Sequence, residues 1–172
     1  GAEAATITFM VGGDAADMEQ VRLQLEAMGA RVVHCGPSGM GEAAKICNNM
    51  IAGIASIAVA ESYAIGQRLG LDPKVLYDVV STSSGQTNVG LRNPPVAGLV
   101  ETSAANRDYQ PGFTIALMLK DMRLSQAAAK QVNQASPLGA AAAEVFALAA
   151  GAGLDGLDTS AVYKLISGLG AR

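Results

Sequence analysis

The sequence is poor in aromatic residues, in charge and in cysteine. Of its 172 residues 4% are aromatic, none is Trp, and 16% are charged. The two cysteines, Cys35 and Cys47, are too few for a disulfide scaffold and are typical of a reducing compartment. The net charge of −3 argues against a nucleic-acid binder, which needs a basic surface to neutralise phosphates. Because half of the residues are hydrophobic, we expect a folded chain.

Membrane association is not predicted either. The most apolar stretch, residues 50–60, is bounded by Asn49 and Glu61, whereas a membrane span needs roughly 20 apolar residues. We therefore interpret this stretch as part of a buried helix and expect no membrane partner. Residues 1–5 also lack the basic start and the apolar core of a signal peptide.

The N-terminal segment has the pattern of a βαβ unit. Residues 6–11 favour a strand that ends at Gly12, and Asp14 is suited to cap the helix that follows. Residues 30–35 favour a second strand. A strand, a helix and a strand of these lengths predict a parallel pair with a right-handed crossover. Since two strands alone do not form a stable sheet, we expect the unit to belong to a larger one.

The remainder of the chain predicts helices. Residues 42–69 are rich in Ala and Ile, with apolar side chains on nearly every face, which predicts one long helix buried on all sides. Residues 81–112 are rich in Ser, Asn, Gly and Pro and are predicted to be loop. Further helices are predicted at 73–80, 114–133, 136–151 and 158–168. The fold is therefore expected to be mostly α, with a βαβ unit before an all-helical domain built on one long central helix.

A glycine-rich segment joins the two parts. Gly39, Gly41 and Ala44 have the spacing of a dinucleotide fingerprint and lie between a predicted strand and a helix. That fingerprint also needs a return strand that ends in an acidic residue about 20 residues later. The acidic residue at that distance, Glu61, lies inside the long apolar helix instead. We therefore favour a simpler role, in which the glycines let the chain turn from strand into helix.

Lys45 and Asn49 follow this segment and share one helix face, because they are four residues apart. A lysine at this point is most simply a solvated side chain at a domain boundary. Alternatively, Lys45 is a general acid or base and the amide of Asn49 orients a substrate hydroxyl or carboxylate. Lys120 and Asp121, taken alone, are more simply a charged surface patch. We interpret His34 as structural.

The sequence predicts no metal site and lacks two common catalytic motifs. His, Cys and Asp residues are not clustered at the spacing of metal ligands, so no metal site is predicted. The sequence contains neither a P-loop nor a G-x-S-x-G motif.

Four segments nevertheless form a recognisable signature: residues 7–13, the glycine, lysine and asparagine block at 36–49, residues 103–113 and residues 117–122. Through them the chain resembles the C-terminal part of the 3-hydroxyisobutyrate dehydrogenases, within the β-hydroxyacid dehydrogenases. The resemblance implies a parent enzyme that uses NAD to oxidise 3-hydroxyisobutyrate to methylmalonate semialdehyde, a step of valine breakdown. It also implies a homo-oligomer formed through the helical domain.

The resemblance implies domains and residue roles as well. Residues 1–38 would be the remnant of an NAD-binding Rossmann domain, and residues 39–172 the helical domain for substrate binding and dimerisation. Lys45 would be the catalytic acid or base. Substrate binding would fall to Asn49 and Asp121, and cofactor binding to Lys120 and Phe113. The compartment would be the cytoplasm in a bacterium and the mitochondrial matrix in a eukaryote.

Departures from the family pattern leave alternatives open. The family's G-x-G-x-x-G and its substrate-binding Ser-Gly-Gly turn would precede residue 1, so this chain alone is expected to be inactive. Relatives often have a Trp near Asn88, and this sequence contains none. One alternative is a sister enzyme that reduces 2-hydroxy-3-oxopropionate (tartronate semialdehyde), glyoxylate or succinate semialdehyde. Another is a non-catalytic helical oligomerisation module.

Overall fold

The computed structural model describes residues 6–168, which divide into two compact units between Asn48 and Asn49. The first unit contains β1 (Thr8–Gly12), α1 (Ala15–Met28) and β2 (Arg31–Gly36). A helix of 29 residues, α2 (Met40–Arg68), begins in the first unit and continues into the second. The second unit adds α3 (Pro73–Thr82), α4 (Asn88–Arg92), α5 (Ile115–Gln131), α6 (Pro137–Ala149) and α7 (Val162–Ser167). The described residues are therefore mostly helical, as the sequence predicts.

Shorter helical turns connect these elements in the second unit. They are 3-10 turns at Ala104–Arg107 and Thr159–Ala161 and a π-helical turn at Ala150–Leu154.

The first unit contains a parallel strand pair, which confirms the predicted βαβ pattern. Thr8 of β1 lies opposite Arg31 of β2, and the register shifts by one residue after Val11. Asp14 caps α1, because its Oδ1 accepts a hydrogen bond of 2.8 Å from the backbone N–H of Ala16. The cap fixes where the helix begins, at the end of β1.

Glycines bring the start of α2 against β1. A side chain at Gly41 would clash with the carbonyl group of Met10, and one at Gly12 would clash with the backbone nitrogens of Met40 and Gly41. Gly39 has a φ of +86°, in the left-handed region that favours glycine. These contacts support the interpretation that the glycines serve the turn from strand into helix.

The core of the second unit lies where α2, α5 and α6 pack. Ile115 and Met122 of α5 and Phe146 of α6 are fully buried, and Tyr63 of α2 belongs to the same cluster. The absence of a side chain at Gly53 lets α2 approach α5 closely, since a Cβ there would clash with the sulfur of Met122. The apolar faces of three helices thus form one continuous core.

Two predictions for this part of the chain were wrong in detail. The long helix is not buried on all sides: Ile51 is 67% exposed and Ile65 is 60% exposed in the described chain. The predicted loop at residues 81–112 contains α4, whose first turn is capped by the hydroxyl of Thr87 on the N–H of Gly90. A helix of five residues is too short to show an apolar period, so the sequence pattern did not reveal it.

Two helical stretches are long and apolar enough to cross a membrane by length and composition: Met40–Arg68 and Pro137–Leu154. The expectation that no stretch is long enough considered only residues 50–60, whereas the helix extends well beyond them. Core helices pass the same test, and α2 supplies Ile57 and Tyr63 to the core. Length and composition alone therefore do not identify a membrane span.

Candidate functional site

Asn49, Asp121 and Lys120 form a connected polar cluster in the second unit. The Nδ2 of Asn49, on α2, donates a hydrogen bond of 2.5 Å to Oδ2 of Asp121, on α5. The other carboxylate oxygen of Asp121 forms an ion pair with Nζ of Lys120, at a distance of 2.9 Å. Asp121 is 3% exposed, whereas the side chain of Lys120 is 56% exposed. A buried carboxylate thus orients an amide and has its charge compensated by a cation at the surface.

The charged-patch interpretation of Lys120 and Asp121 does not fit this arrangement. Asp121 is buried and bonded to a residue 72 positions earlier, so only Lys120 belongs to the surface. Sequence proximity alone made the two residues look like a surface pair.

A cavity of about 320 Å³ adjoins this cluster. Asn49 lines it from α2, Asn88 and Arg92 line it from α4, and Phe113 lines it from the segment before α5. Phe113 is half-buried and packs against the core. The lining combines amides and a guanidinium with an aromatic ring, which suits a small polar ligand with an apolar part.

Asp158 holds the segments around this cavity together. Its Oδ1 accepts hydrogen bonds from Nδ2 of Asn93 at 2.8 Å and from the hydroxyl of Ser160 at 2.7 Å. Its Oδ2 accepts the backbone N–H groups of Gly112 at 3.2 Å and Phe113 at 3.4 Å. The sequence indicated only that Asp158 caps a helix, since its other partners, Asn93, Gly112 and Phe113, lie 45 to 65 residues away.

Arg92 is a cavity residue that sequence reasoning missed. It is the last residue of α4 and has an exposed side chain. Because residues 81–112 were predicted to be loop, no helix was available from which to place Arg92 beside Asn49. The capping residue Thr87 was the one local signal that could have revealed α4.

A second cavity, of about 420 Å³, lies between α5 and the turn that follows α6. Lys120 and Arg123 line it together with Leu119, Leu124 and Ala150. Two cations beside an apolar wall match a dinucleotide, which has anionic phosphates and flat rings. The described residues thus fit contact with a nicotinamide cofactor at this surface.

The remaining candidates lie in the first unit. Lys45 is exposed, and α2 runs unbroken from Lys45 to Asn49. His34 Nε2 donates a hydrogen bond of 2.9 Å to the carbonyl of Gly13, which supports its structural interpretation. Cys47 is an exposed thiol. Within residues 6–168 no three His, Cys, Asp or Glu side chains are grouped as metal ligands would be.

Two family models cover most of the chain. Residues 39–166 match the model described as NAD-binding of NADP-dependent 3-hydroxyisobutyrate dehydrogenase. Residues 1–36 match the NAD binding domain of 6-phosphogluconate dehydrogenase. Both models describe nicotinamide-binding domains, which agrees with the expected cofactor.

Individual relatives are similar over nearly the whole chain. A probable 3-hydroxyisobutyrate dehydrogenase of Mycobacterium tuberculosis is 44% identical over 96% of this chain and 56% of its own length. The mitochondrial 3-hydroxyisobutyrate dehydrogenase of Drosophila melanogaster is 42% identical over 96% of this chain and 51% of its own. An NAD-dependent L-serine dehydrogenase of Pseudomonas aeruginosa is 41% identical over 96% and 55%.

A solved structure agrees with these relatives. The Mycobacterium tuberculosis 3-hydroxyisobutyrate dehydrogenase with L-serine superposes with a TM-score of 0.91 at 42% identity, over 96% of this chain and 56% of that one. The chain spans about half the length of the curated relatives it matches. The chain belongs to the 3-hydroxyisobutyrate dehydrogenase family.

Proposed function

We propose that the full-length gene product is an NAD-dependent 3-hydroxy acid dehydrogenase that oxidises 3-hydroxyisobutyrate to methylmalonate semialdehyde in valine breakdown. Residues 1–38 are then the end of its Rossmann domain and residues 39–172 its helical domain, with α2 as the central helix. Family membership supports the reaction class, and the site geometry supports the residue roles below.

The hydrogen bond from Asn49 to Asp121 is the observation that best supports this proposal. It fixes the orientation of an amide that lines the 320 Å³ cavity, because Asp121 is buried and accepts the donor end of the amide. A substrate hydroxyl in the cavity would then meet the amide of Asn49, a group that can both donate and accept hydrogen bonds. An amide with a preset direction suits the positioning of an alcohol for oxidation.

Lys45 supplies the proton transfer in this proposal. It precedes Asn49 by four residues on α2, the spacing of residues that share one helix face. As the alcohol is oxidised, Nζ of Lys45 accepts the hydroxyl proton while Asn49 holds the oxygen. A nicotinamide bound beside Lys120 supplies the acceptor for the hydride. Phe113 lines the same cavity as Asn49 and adds an aromatic ring to its wall.

A homo-oligomer formed through the helical domain is part of the same proposal. Leu138 and Leu148 of α6 are 68% and 64% exposed, and an open groove between α2 and α6 is lined by Ile54 and Val145. Burying such side chains against a second copy would remove apolar surface from water. Light scattering of the purified full-length gene product tests this directly.

L-serine is a second candidate substrate, because one relative is named an L-serine dehydrogenase. The amides of Asn49 and Asn88 and the hydroxyl of Ser56 also make the cavity partly polar. Serine differs from 3-hydroxyisobutyrate by an ammonium group in place of a methyl group. The polar lining is compatible with either compound.

The test is an assay of the full-length gene product with NAD. Formation of NADH is followed by absorbance with 3-hydroxyisobutyrate, L-serine and a 2-hydroxy acid as separate substrates, and NADP replaces NAD in a parallel series. Oxidation of 3-hydroxyisobutyrate with a kcat/KM above that for serine supports the proposal. Absence of activity on every 3-hydroxy acid contradicts it and favours the oligomerisation module.

A further inference from the structure

Arg92 places a positive charge at the cavity that Asn49 also lines. It is the one basic side chain among the described residues of this lining. It ends α4, whose first turn is fixed by the Thr87 cap. Within residues 6–168 its guanidinium forms no ion pair with a carboxylate. An arginine that lines a cavity without a carboxylate partner is suited to bind an anion.

The nearby carboxylates are already committed to other groups. Both oxygens of Asp158, which lines the same cavity, accept hydrogen bonds from Asn93, Ser160 and the backbone N–H groups of Gly112 and Phe113. Asp121 accepts from Asn49 and Lys120. Neither carboxylate is therefore paired with Arg92, and Asp158 keeps its own negative charge because all its donors are neutral.

The cavity also has room for a substituent larger than the methyl group of 3-hydroxyisobutyrate. Its volume of about 320 Å³ falls within the range of pockets that hold complete small-molecule ligands, roughly 300–1,000 Å³. Apolar contact is provided by Phe113, Val89 and Met118, and the α4 side adds Asn88 and Arg92. A substrate that extends from Asn49 toward α4 would meet polar and cationic groups.

Resting on the proposed dehydrogenase function, we propose that Arg92 is a specificity-determining residue that binds a second carboxylate on the substrate. The substrate class then extends from 3-hydroxyisobutyrate to 3-hydroxy acids whose carbon 2 bears an acidic side chain instead of a methyl group. A guanidinium can hold a carboxylate through two parallel N–H···O bonds, which combines charge with direction. Asn49 positions the hydroxyl end of the same molecule.

A pair of matched substrates tests this assignment in the full-length gene product. 2-(Hydroxymethyl)succinate differs from 3-hydroxyisobutyrate only by a carboxylate on the methyl group. Arg92→Gln should lower kcat/KM for the diacid on the order of 10- to 100-fold, chiefly through KM, since it removes charge-assisted hydrogen bonds. Its effect on kcat/KM for 3-hydroxyisobutyrate, which lacks the second carboxylate, should be clearly smaller. Arg92→Lys, which keeps the charge without the fork, should have an intermediate effect.

Arg68→Gln is the matched control, because Arg68 is likewise a basic residue in the last turn of a helix and does not line the cavity. It should leave both substrates unaffected. An equal loss on both substrates in Arg92→Gln overturns the assignment, as does a wild-type protein that oxidises only the monoacid. In either of these cases the proposed dehydrogenase function stands.

If no substrate is oxidised, a binding measurement tests the anion site at Arg92 separately from the proposed dehydrogenase function. The melting temperature of the full-length gene product is recorded with 2-methylsuccinate, with isobutyrate and with neither. A rise with the diacid alone, lost in Arg92→Gln and kept in Arg68→Gln, supports the anion site even where the oxidation assay fails. Equal effects of both acids, or of both variants, overturn it.

Discussion

Asn49 and Asp121 are 72 residues apart in the sequence and are joined by a hydrogen bond of 2.5 Å from the amide Nδ2 to the carboxylate Oδ2. The bond connects α2 to α5 at the edge of the main core. It also gives a buried carboxylate its second partner, the first being Lys120. Structure and proposed function therefore depend on the same pair, and both can be tested through it.

A double-mutant cycle measures the energy of this pair. Asn49→Ala and Asp121→Ala should each lower the free energy of unfolding by about 1–3 kcal/mol, because each leaves a polar partner unsatisfied. The double variant should lose less than the sum, with a coupling of about 0.5–3 kcal/mol. Urea unfolding of the full-length gene product provides the values. Asp155→Ala, at an exposed site, should stay within about 0.5 kcal/mol of wild type, and strict additivity would contradict the pair.

Lys120 should affect cofactor affinity more than turnover. Lys120→Ala is expected to raise the dissociation constant for NAD about fivefold, or roughly 1 kcal/mol, a modest effect because water screens an exposed cation. Fluorescence titration and the KM for NAD give two independent measurements. Lys130→Ala is the control, since Lys130 is an exposed lysine in the last turn of the same helix. Equal affinities in the two variants would rule out a specific contact.

The raised pKa of Tyr109 leads us to predict a loss of stability at high pH. Burial, and secondarily the neighbouring Tyr163, raise the pKa of Tyr109 from 10.0 to about 12, and its hydroxyl donates a hydrogen bond of 2.7 Å to the carbonyl of Pro95. Because the folded state holds the proton more tightly, the stabilisation is complete below pH 10 and is lost as pH rises toward 12.

Unfolding followed at several pH values tests this slope. Tyr109→Phe should be less stable than wild type at pH 7 by about 1 kcal/mol, for the lost hydrogen bond. Its stability should fall less steeply between pH 10 and 12. Burial likewise raises the pKa of Tyr63 to about 12, so part of the slope should persist in the variant. Parallel curves for the two proteins would contradict the assignment to Tyr109.

Local signals in the sequence predicted most of the elements. Asp14 and Asp72 each cap the helix that follows them. Thr114 caps α5, at the start of the helix predicted at residues 114–133. Capping and apolar periodicity depend on residues within one or two turns, so a single sequence contains them. The parallel pair of strands followed in the same way from the lengths of a strand, a helix and a strand.

The site could not be predicted in the same way. Asp158 holds Asn93 and Gly112 through bonds that cross 65 and 46 positions, and no local pattern records such partners. The resemblance to the family, rather than spacing, brought Asn49 and Asp121 together in one predicted substrate site. Arg92 was outside that prediction because α4 is too short for a periodic signal. Ile51 shows a second limit of sequence patterns. An apolar residue in a helix suggests burial, yet Ile51 is exposed in the described chain.

Lys45 provides the most direct test of the account as a whole, through the steady-state kinetics of Lys45→Ala in the full-length gene product with NAD and 3-hydroxyisobutyrate. The account predicts that kcat falls by at least roughly 100-fold, the usual scale of general acid–base catalysis, with an unchanged melting temperature. Lys74→Ala, at another exposed lysine, should retain wild-type turnover. A Lys45→Ala variant with near-normal kcat would contradict the proposed role of Lys45 and the mechanism built on it.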